Sequence, residues 1–203
     1  KREYSYLGVL FYCNGKLTKA KQTLVDQATI AMYAVLNKCK KLMLPVDIQL
    51  NLFDSLVLPI LTYGTEIWGW EDLSIIEKLH LKFLKNILGL RTTTCNNMVY
   101  GELGRYPLKH YVVNKILGFW CKMVNSNENK LSCLMYNLMY ELDKKNMCKF
   151  GWLDNIKKLL NNAGLSYIWA NQGPVKTKWL KTYVSTNIKD QFLQQWFSEI
   201  SES

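Results

Sequence analysis

The stretch from Leu17 to Leu42 reads LTKAKQTLVDQATIAMYAVLNKCKKL. Its apolar residues recur every three or four positions, which is the spacing that places side chains on one face of an α-helix. They are Leu17, Ala20, Leu24, Ala28, Ala31, Val35, Cys39 and Leu42. The pattern predicts an amphipathic helix of roughly seven turns, whose apolar stripe packs against other helices.

The remainder of this predicted helix is basic. Asp26 is the one acidic residue between Leu17 and Leu42, and lysines are denser at the two ends of the stretch than in its middle. Two interpretations are open at this point: a lysine face that is merely solvated, or a rod that lies along a polyanion. The lysines concerned are Lys16, Lys19, Lys21, Lys38, Lys40 and Lys41.

The basic character extends through the whole chain of 203 residues, whose formal net charge is +10. Residues 1–110 carry 14 basic and 9 acidic groups, and residues 111–203 carry 12 and 7. The excess is therefore spread over both halves, which suits a nucleic-acid partner better than a single basic tail would. An apolar fraction of 49% is enough to build a core at this length and excludes a disordered chain.

Cysteines and histidines do not form a recognisable metal motif. The six cysteines include no C-x-x-C pair and have no histidine at ligand spacing, so we expect free thiols and no zinc. No signal peptide is visible and no apolar run reaches the ~18 residues that cross a bilayer. We therefore expect an intracellular protein of the cytoplasm and nucleus, neither secreted nor in a membrane. The start at Lys1 suggests a fragment of a longer protein.

Two further amphipathic helices are predicted before residue 91. One starts near Asp47, and Pro59 within its pattern should kink or break it. The other is capped by Asp72 or Ser74, ends before Gly89, and carries Lys78, Lys82 and Lys85 as a second basic stripe. Short connections predict a three-helix bundle. Its expected core is Leu24, Ala28 and Val35 packed on Phe53, Leu56 and Phe83.

The two ends of the chain differ from this bundle. Residues 4–12 are aromatic and β-branched, which predicts a short strand or hairpin with a turn at Asn14-Gly15 and a bulge or close backbone approach at Gly8. Beyond residue 91, helices are expected at about 96–103, 108–125, 130–144, 152–163 and 176–198. The last should carry on one side Trp179, Tyr183, Ile188, Phe192, Trp196 and Ile200. The predicted fold class is mainly α.

Motifs of catalysis are missing from the sequence. It contains no glycine-rich phosphate loop, no G-x-S-x-G, no H-E-x-x-H and no Asp-Asp pair. Glu71-Asp72 is the only adjacent acidic pair, and its place at a helix start identifies it as a cap. Composition and spacing alone therefore predict a basic helical domain that binds nucleic acid.

A series of short sequence motifs gives a more specific indication of function. Their order and spacing resemble the region C-terminal to the palm in the reverse transcriptases of non-LTR (LINE-type) retrotransposons. The resemblance covers about residues 4–125 and is weaker beyond. The motifs are Tyr6-Leu7-Gly8-Val9-Leu10-Phe11, Asn14-Gly15, Leu52-Phe53-Asp54-Ser55-Leu56, Pro59-Ile60-Leu61, Tyr63-Gly64, Glu66-Ile67-Trp68-Gly69, His80-Leu81-Lys82-Phe83-Leu84-Lys85, Leu88-Gly89 and Tyr100-Gly101-Glu102-Leu103-Gly104-Arg105-Tyr106-Pro107-Leu108.

This resemblance implies three regions and a role for each. Residues 1–15 would be the primer-grip hairpin at the end of the palm, in which Tyr6, Leu7 and Gly8 support the 3′ end of the primer. Residues 16–91 would be the thumb, which lies against the template–primer duplex and contacts phosphates and sugars without reading bases. Residues 92–203 would be a helical connector. The implied nucleic-acid-binding residues are Lys16, Lys19, Lys21, Lys38, Lys40, Lys41, Lys78, Lys82, Lys85 and Arg91.

The same resemblance implies what the chain lacks. The family's catalytic aspartates lie upstream of the primer grip, so this fragment would hold no cofactor and would not polymerise, although the parent polymerase would use Mg²⁺. Its partners would be the RNA template, the RNA–DNA hybrid and the rest of the parent polymerase upstream of residue 1.

Two other functions remain open on the sequence. One is a helical protein–protein interaction module, a domesticated transposon remnant with solvated basic faces and no nucleic-acid role. A basic amphipathic helix on an anionic membrane is weaker, because the stripes recur on several helices that need one another for burial. Titration against salt separates the first two, since only phosphate binding predicts a steep slope.

Overall fold

The protein, seen in a computed structural model, is mainly helical, as the sequence predicts. The structure describes residues 3–6, 8–13, 17–126 and 130–201. Two short strands come first, and helices follow to the end of the described chain. The elements are β1 (Glu3–Tyr6), β2 (Val9–Tyr12), α1 (Thr18–Lys41), α2 (Val46–Leu52), a π turn (Phe53–Val57), α3 (Leu58–Leu61), α4 (Thr65–Trp68), α5 (Ser74–Ile87), α6 (Asn96–Leu103), α7 (Lys109–Val124), α8 (Leu131–Lys144), α9 (Gly151–Asn162), α10 (Ser166–Asn171) and α11 (Thr177–Ser201).

β1 and β2 form an antiparallel hairpin in which Tyr6 pairs with Val9. Gly8 lies between these residues with φ +78°, a left-handed conformation that glycine adopts without steric cost and that tight hairpin connections need. Among the described residues, no heavy atom comes within 4 Å of the position that a Cβ on Gly8 would take. Gly8 therefore belongs to the turn of the hairpin, and the expected bulge or close backbone approach is wrong. The turn predicted at Asn14-Gly15 lies outside the described residues.

Most of the predicted apolar stripe of α1 is buried, but Leu42, just past the end of the helix, is exposed, and Leu17 and Ala31 are half-buried. α1 packs against the π turn, α3 and α5. Leu24, Ala28 and Val35 are all buried, and Val25 and Met32 join them on the same face. This helix therefore forms the centre of the predicted bundle, in which the side chains of all the packing helices meet.

The helix after α1 is interrupted where the sequence places a proline. Its backbone runs from Val46 to Leu61 but changes hydrogen bonding at the π turn, just before Pro59. Proline has no N–H to donate to the carbonyl four residues earlier, and a π turn accommodates such a gap by inserting a residue into the helix. The interruption expected at Pro59 is therefore present as this π turn.

The π turn also changes which residues face the core. Phe53, Val57 and Leu61 follow one another at steps of four and are fully buried, whereas 53% of Leu56 is exposed. The prediction that Leu56 is a core residue is therefore wrong, because it assumed an uninterrupted α-helical period. Phe53 and Phe83 are core residues as predicted, and their rings stack at a centroid distance of 4.4 Å.

α5 ends at the predicted glycine, but the prediction that Asp72 or Ser74 caps its start is wrong, because the N-cap residue is Leu73 and no side chain caps the helix. The Asp72 carboxylate accepts hydrogen bonds from the Ser74 backbone N–H at 2.9 Å and from its hydroxyl at 2.7 Å. Gly89, with φ +66°, supplies the left-handed residue that ends the helix. Just upstream, Trp68 is buried and donates from Nε1 to the Tyr63 carbonyl at 3.1 Å.

Residues 110–203 form a second helical region close to the predicted one, with α10 as an addition that the sequence did not indicate. Trp120 is fully buried and donates from Nε1 to the Tyr136 hydroxyl at 2.9 Å. That hydroxyl donates to Gln172 Oε1 at 2.5 Å. Burial raises the pKa of Tyr136 to about 12, although its hydrogen bonds with Trp120 and Gln172 oppose this rise.

α11 does not have the single apolar side that was expected. Leu180 and Val184 are buried, while Trp179 and Tyr183 are exposed. The step of five residues from Tyr183 to Ile188 is well over one turn, so it carries the pattern to a different side of the helix. The grouping of these two aromatic residues with the later apolar ones is therefore wrong.

The chain consists of two compact units, residues 1–109 and 110–203. Both region boundaries predicted from the resemblance, at 15/16 and 91/92, fall within the first unit, and the roles assigned to those regions stay predictions. Within the described ranges, no helix combines the length and apolar character needed to cross a membrane.

Candidate nucleic-acid interface

Exposed lysines stand on two neighbouring helices of the first unit. Lys38, Lys40 and Lys41 are exposed at the end of α1, and Lys78 and Lys82 are exposed on α5. α1 and α5 pack directly on each other. The bundle therefore places on neighbouring helices two basic stripes that lie about 40 residues apart in the sequence.

A polar groove of about 470 Å³ lies between these helices and α2. It is lined by Tyr33, Leu36, Asn37, Lys40, Gln49, Asn86 and Ile87. Lys82 stands beside it, because its Nζ lies 5.2 Å from the centroid of the Tyr33 ring. We call Lys40, Lys82 and the amide-bearing residues Asn37, Gln49 and Asn86 the basic groove. None of the lining residues is acidic, so the site presents positive charge and hydrogen-bonding amides to a ligand.

Lys21 is not part of any exposed basic surface. It is 6% exposed, and its Nζ lies 2.6 Å from Glu71 Oε2 and 3.3 Å from the Asp72 carbonyl oxygen. The same Nζ sits over the Trp68 ring, 5.3 Å from its centroid. These contacts hold the start of α1 to the segment before α5, so Lys21 has a structural role.

Lys85 is also internal, although it belongs to the predicted stripe of α5. It is 9% exposed and donates from Nζ to the Thr92 carbonyl at 2.7 Å. This bond fastens the loop that follows α5 back onto the helix. Arg91, in the same loop, is exposed.

The other predicted lysines lie at the start of α1. Lys19 is exposed, and its Nζ is 3.3 Å from Glu3 Oε1 in β1. This pair is open to solvent on both sides, so it is weak and a phosphate can compete for the lysine. Lys16 lies outside the described residues.

The predicted primer grip is described only in part. Tyr6 belongs to β1 by its backbone, Leu7 lies outside the described residues, and Gly8 forms the exposed turn. Gly8 borders a cavity of about 360 Å³. That cavity is also lined by Leu24, Gln27, Pro59, Ile60 and Tyr63, so the tip of the hairpin faces the helical bundle.

A half-buried polar cluster around Glu77 was not predicted from the sequence. Its carboxylate contacts His80 Nδ1 at 2.9 Å, accepts from the Tyr100 hydroxyl at 2.5 Å and accepts from the Leu108 backbone N–H at 2.7 Å. Burial, together with the adjacent Glu77 carboxylate, raises the pKa of Tyr100 well above its ordinary value. The spacing of Glu77 and His80 on one helix was a possible signal, but the other two partners come from distant parts of the chain.

Arg105 also has a structural role that the sequence did not indicate. Its guanidinium lies 2.9 Å from Asp54 Oδ2 and donates to the Leu50 carbonyl at 3.3 Å. It thereby fastens the loop after α6 to the region of the π turn. In the described part of the chain, no three His, Cys, Asp or Glu side chains come together as a metal site would require.

Comparison of the chain with protein-family models, with curated proteins and with solved structures found no match.

Proposed function

We propose that this chain grips a nucleic-acid duplex without reading its sequence, as the thumb and connector of a non-LTR retrotransposon reverse transcriptase would. The duplex would be a template RNA paired with growing DNA. The observation that carries the proposal is the basic groove, which Lys40 lines and Lys82 adjoins through Tyr33, and which has no acidic lining residue.

The chemistry of the groove suits a backbone ligand. Lysines attract phosphates as point charges, and side-chain amides such as those of Asn37 and Asn86 can hydrogen-bond to phosphate or sugar oxygens. Contacts of this kind carry no base information, so one grip serves any template. Many weak phosphate contacts also allow a duplex to slide as it grows.

The internal lysines refine the proposed set of contacts. Lys21 and Lys85 are occupied within the fold, so we assign duplex binding to Lys38, Lys40, Lys41, Lys78 and Lys82, with Lys19 at the hairpin end. The proposal includes no catalytic residue in this chain, and primer extension is left to a palm upstream of residue 1.

The test is a titration of a labelled RNA–DNA hybrid, followed by fluorescence anisotropy between about 50 and 200 mM salt. Each phosphate contact contributes about 0.9 to the slope of log K against log salt for duplex DNA, taken as an approximation for the hybrid. Lys40→Ala with Lys82→Ala should therefore flatten the slope by roughly 1–2 units, about equally for unrelated sequences.

Lys144→Ala with Lys145→Ala is the matched control, because it also removes two exposed lysines. It should flatten the slope less. Equal losses from both pairs would indicate a diffuse charge effect and would contradict a grip at the basic groove.

A helical protein–protein interaction module is the second candidate function, and α8 favours it. Leu131, Leu134, Met135 and Leu138 recur at helical spacing and are 74%, 53%, 50% and 53% exposed. An apolar stripe of this kind suits the apolar face of a partner helix. If this were the function of the whole chain, hybrid affinity would not respond to Lys40→Ala with Lys82→Ala.

A further inference from the structure

We propose that Tyr167, Trp179 and Tyr183 form a stacking platform for unpaired nucleotides, a second nucleic-acid site in residues 110–203. We call these three residues the aromatic platform. All three lie outside the unit that holds the basic groove, so the proposal stands whether or not that groove grips a duplex.

The aromatic platform begins with two rings on α11. Trp179 and Tyr183 are one helical turn apart, and their rings stack with a centroid distance of 5.5 Å and an interplanar angle of 24°. They remain 44% and 40% exposed, while Leu180 and Val184 anchor the other side of the helix in the core. A buried anchor behind an exposed pair of rings gives a rigid surface on which a flat ligand can stack.

A cleft of about 290 Å³ extends this surface toward α10. Tyr167, which is 55% exposed, lines the cleft together with Trp179. Asn171 and Lys176 also line it, and they add polar groups beside the rings. Ring faces combined with an amide and an ammonium group suit a nucleotide, which offers a flat base beside a phosphate.

The charge of the surrounding sequence points to a polyanion. From Asn155 to Lys189 there is no acidic residue, and the segment carries Lys157, Lys158, Lys176, Lys178, Lys181 and Lys189. Lys178 is exposed at the start of α11, next to Trp179 in the sequence. Lys158 is paired with Asp154 at 2.7 Å, so the lysines at the rings are Lys176 in the cleft and Lys178, the sequence neighbour of Trp179. Lysines for the backbone and exposed rings for the bases are the combination that single-strand binding uses.

The exposed rings favour a single strand over a duplex. In a duplex the bases are stacked inside the helix and cannot lie on a protein ring, whereas unpaired bases can be splayed onto aromatic side chains. A proline-rich peptide also docks on aromatic surfaces. Such a peptide has no need of the lysines, so the charge favours the nucleic acid, and the peptide becomes one outcome of the test.

The experiment measures binding of the full chain to a labelled single-stranded oligouridylate and, in parallel, to the RNA–DNA hybrid. Trp179→Ala with Tyr183→Ala should weaken binding to the single strand roughly 5- to 100-fold, the range that loss of stacked bases produces, with hybrid affinity unchanged. Trp179→Phe keeps a ring and should recover part of the affinity. Tyr111→Ala removes another exposed tyrosine, 41% exposed on α7, and should have no effect.

Three outcomes would overturn the proposal. The aromatic double variant could bind the oligouridylate as well as the native chain. It could lose hybrid binding to the same extent while Trp179→Phe loses as much, which would indicate a general defect. A proline-rich peptide could bind more tightly than the oligonucleotide and with the same dependence on the rings. Lys40→Ala with Lys82→Ala changes only hybrid binding under the duplex proposal, so failure of one proposal is distinguishable from failure of the other.

Discussion

The two ends of α1 use the same residue type for different purposes. At the start of the helix, Lys21 is buried among Glu71, the Asp72 carbonyl and the Trp68 ring. At the other end, Lys40 is exposed and lines the basic groove. The difference shows that counting lysines along a helix overstates the charge available to a ligand, because one of these lysines is committed to the fold.

The position of Lys21 in the helical period explains its burial. It precedes Leu24, Val25 and Ala28 by three, four and seven residues, so it lies on the same face as these buried side chains. Lysine tolerates such a place when its stem packs on apolar surface and its ammonium group finds partners.

The largest expected effect in this comparison is on stability. Lys21→Ala should lower the free energy of unfolding by about 1.5–3 kcal/mol, because it removes a hydrogen-bonded charge and the packing of its stem. Lys40→Ala is the same change on the same helix and should alter stability by no more than about 0.5 kcal/mol. Urea denaturation of both variants measures the difference, and equal stabilities would refute the internal role of Lys21.

A smaller effect is expected at the end of α5. Lys85→Ala should cost about 1–1.5 kcal/mol, because the bond to the Thr92 carbonyl is lost but that exposed residue can turn to water. Lys82→Ala, three residues earlier and exposed, should leave thermal unfolding almost unchanged. A lower melting temperature in Lys82→Ala than in Lys85→Ala would reverse the assignment of these two lysines.

The smallest expected effect is on the titration of Asp72. Hydrogen bonds from Ser74 hold the pKa of its carboxyl below the ordinary value, and the positive charges of Lys21 and Lys78 add to this. A depressed carboxyl pKa stabilises the fold at and above the unfolded-state pKa, and this contribution is lost as the pH falls through the folded-state pKa. The contribution of the Asp72 carboxylate to the start of α5 should therefore persist in mild acid and be lost only as the pH falls through this lowered pKa.

Carbon-13 NMR of the side-chain carboxyl tests this expectation. The pKa of Asp72 should rise in Lys21→Ala yet stay below its ordinary value, since the Ser74 bonds remain, and Lys40→Ala should leave it unchanged. An unchanged pKa in Lys21→Ala would mean that the two groups do not interact.

The fold was predictable where local signals agree. The bounds of α6 match the expected 96–103, because Gly104 ends the helix in a left-handed conformation. Most of the stripe of α1 was predictable from its helical spacing. The predicted burial of Leu56 was wrong because the register change at the π turn depends on how the helix accommodates Pro59. The periodicity of apolar residues does not reveal this.

The candidate site was predictable only in part. Two basic helices joined in a bundle follow from the sequence, and the spacing of Lys21 could have marked it as internal. The burial of Lys85 depends on a loop folding back over it, and the aromatic platform depends on which side of α11 meets the core. These are tertiary effects that no local pattern encodes.

The contact between Glu77 and Leu108 has a consequence for hydrogen exchange. The Leu108 amide lies between α6 and α7, where backbone protons ordinarily exchange quickly with solvent. Here the amide donates a hydrogen bond to the Glu77 carboxylate, with 2.7 Å between the nitrogen and Oε2. Exchange of this proton therefore requires that the hydrogen bond break. The rate of deuterium uptake at this single amide therefore reports how often the segment after α6 separates from α5.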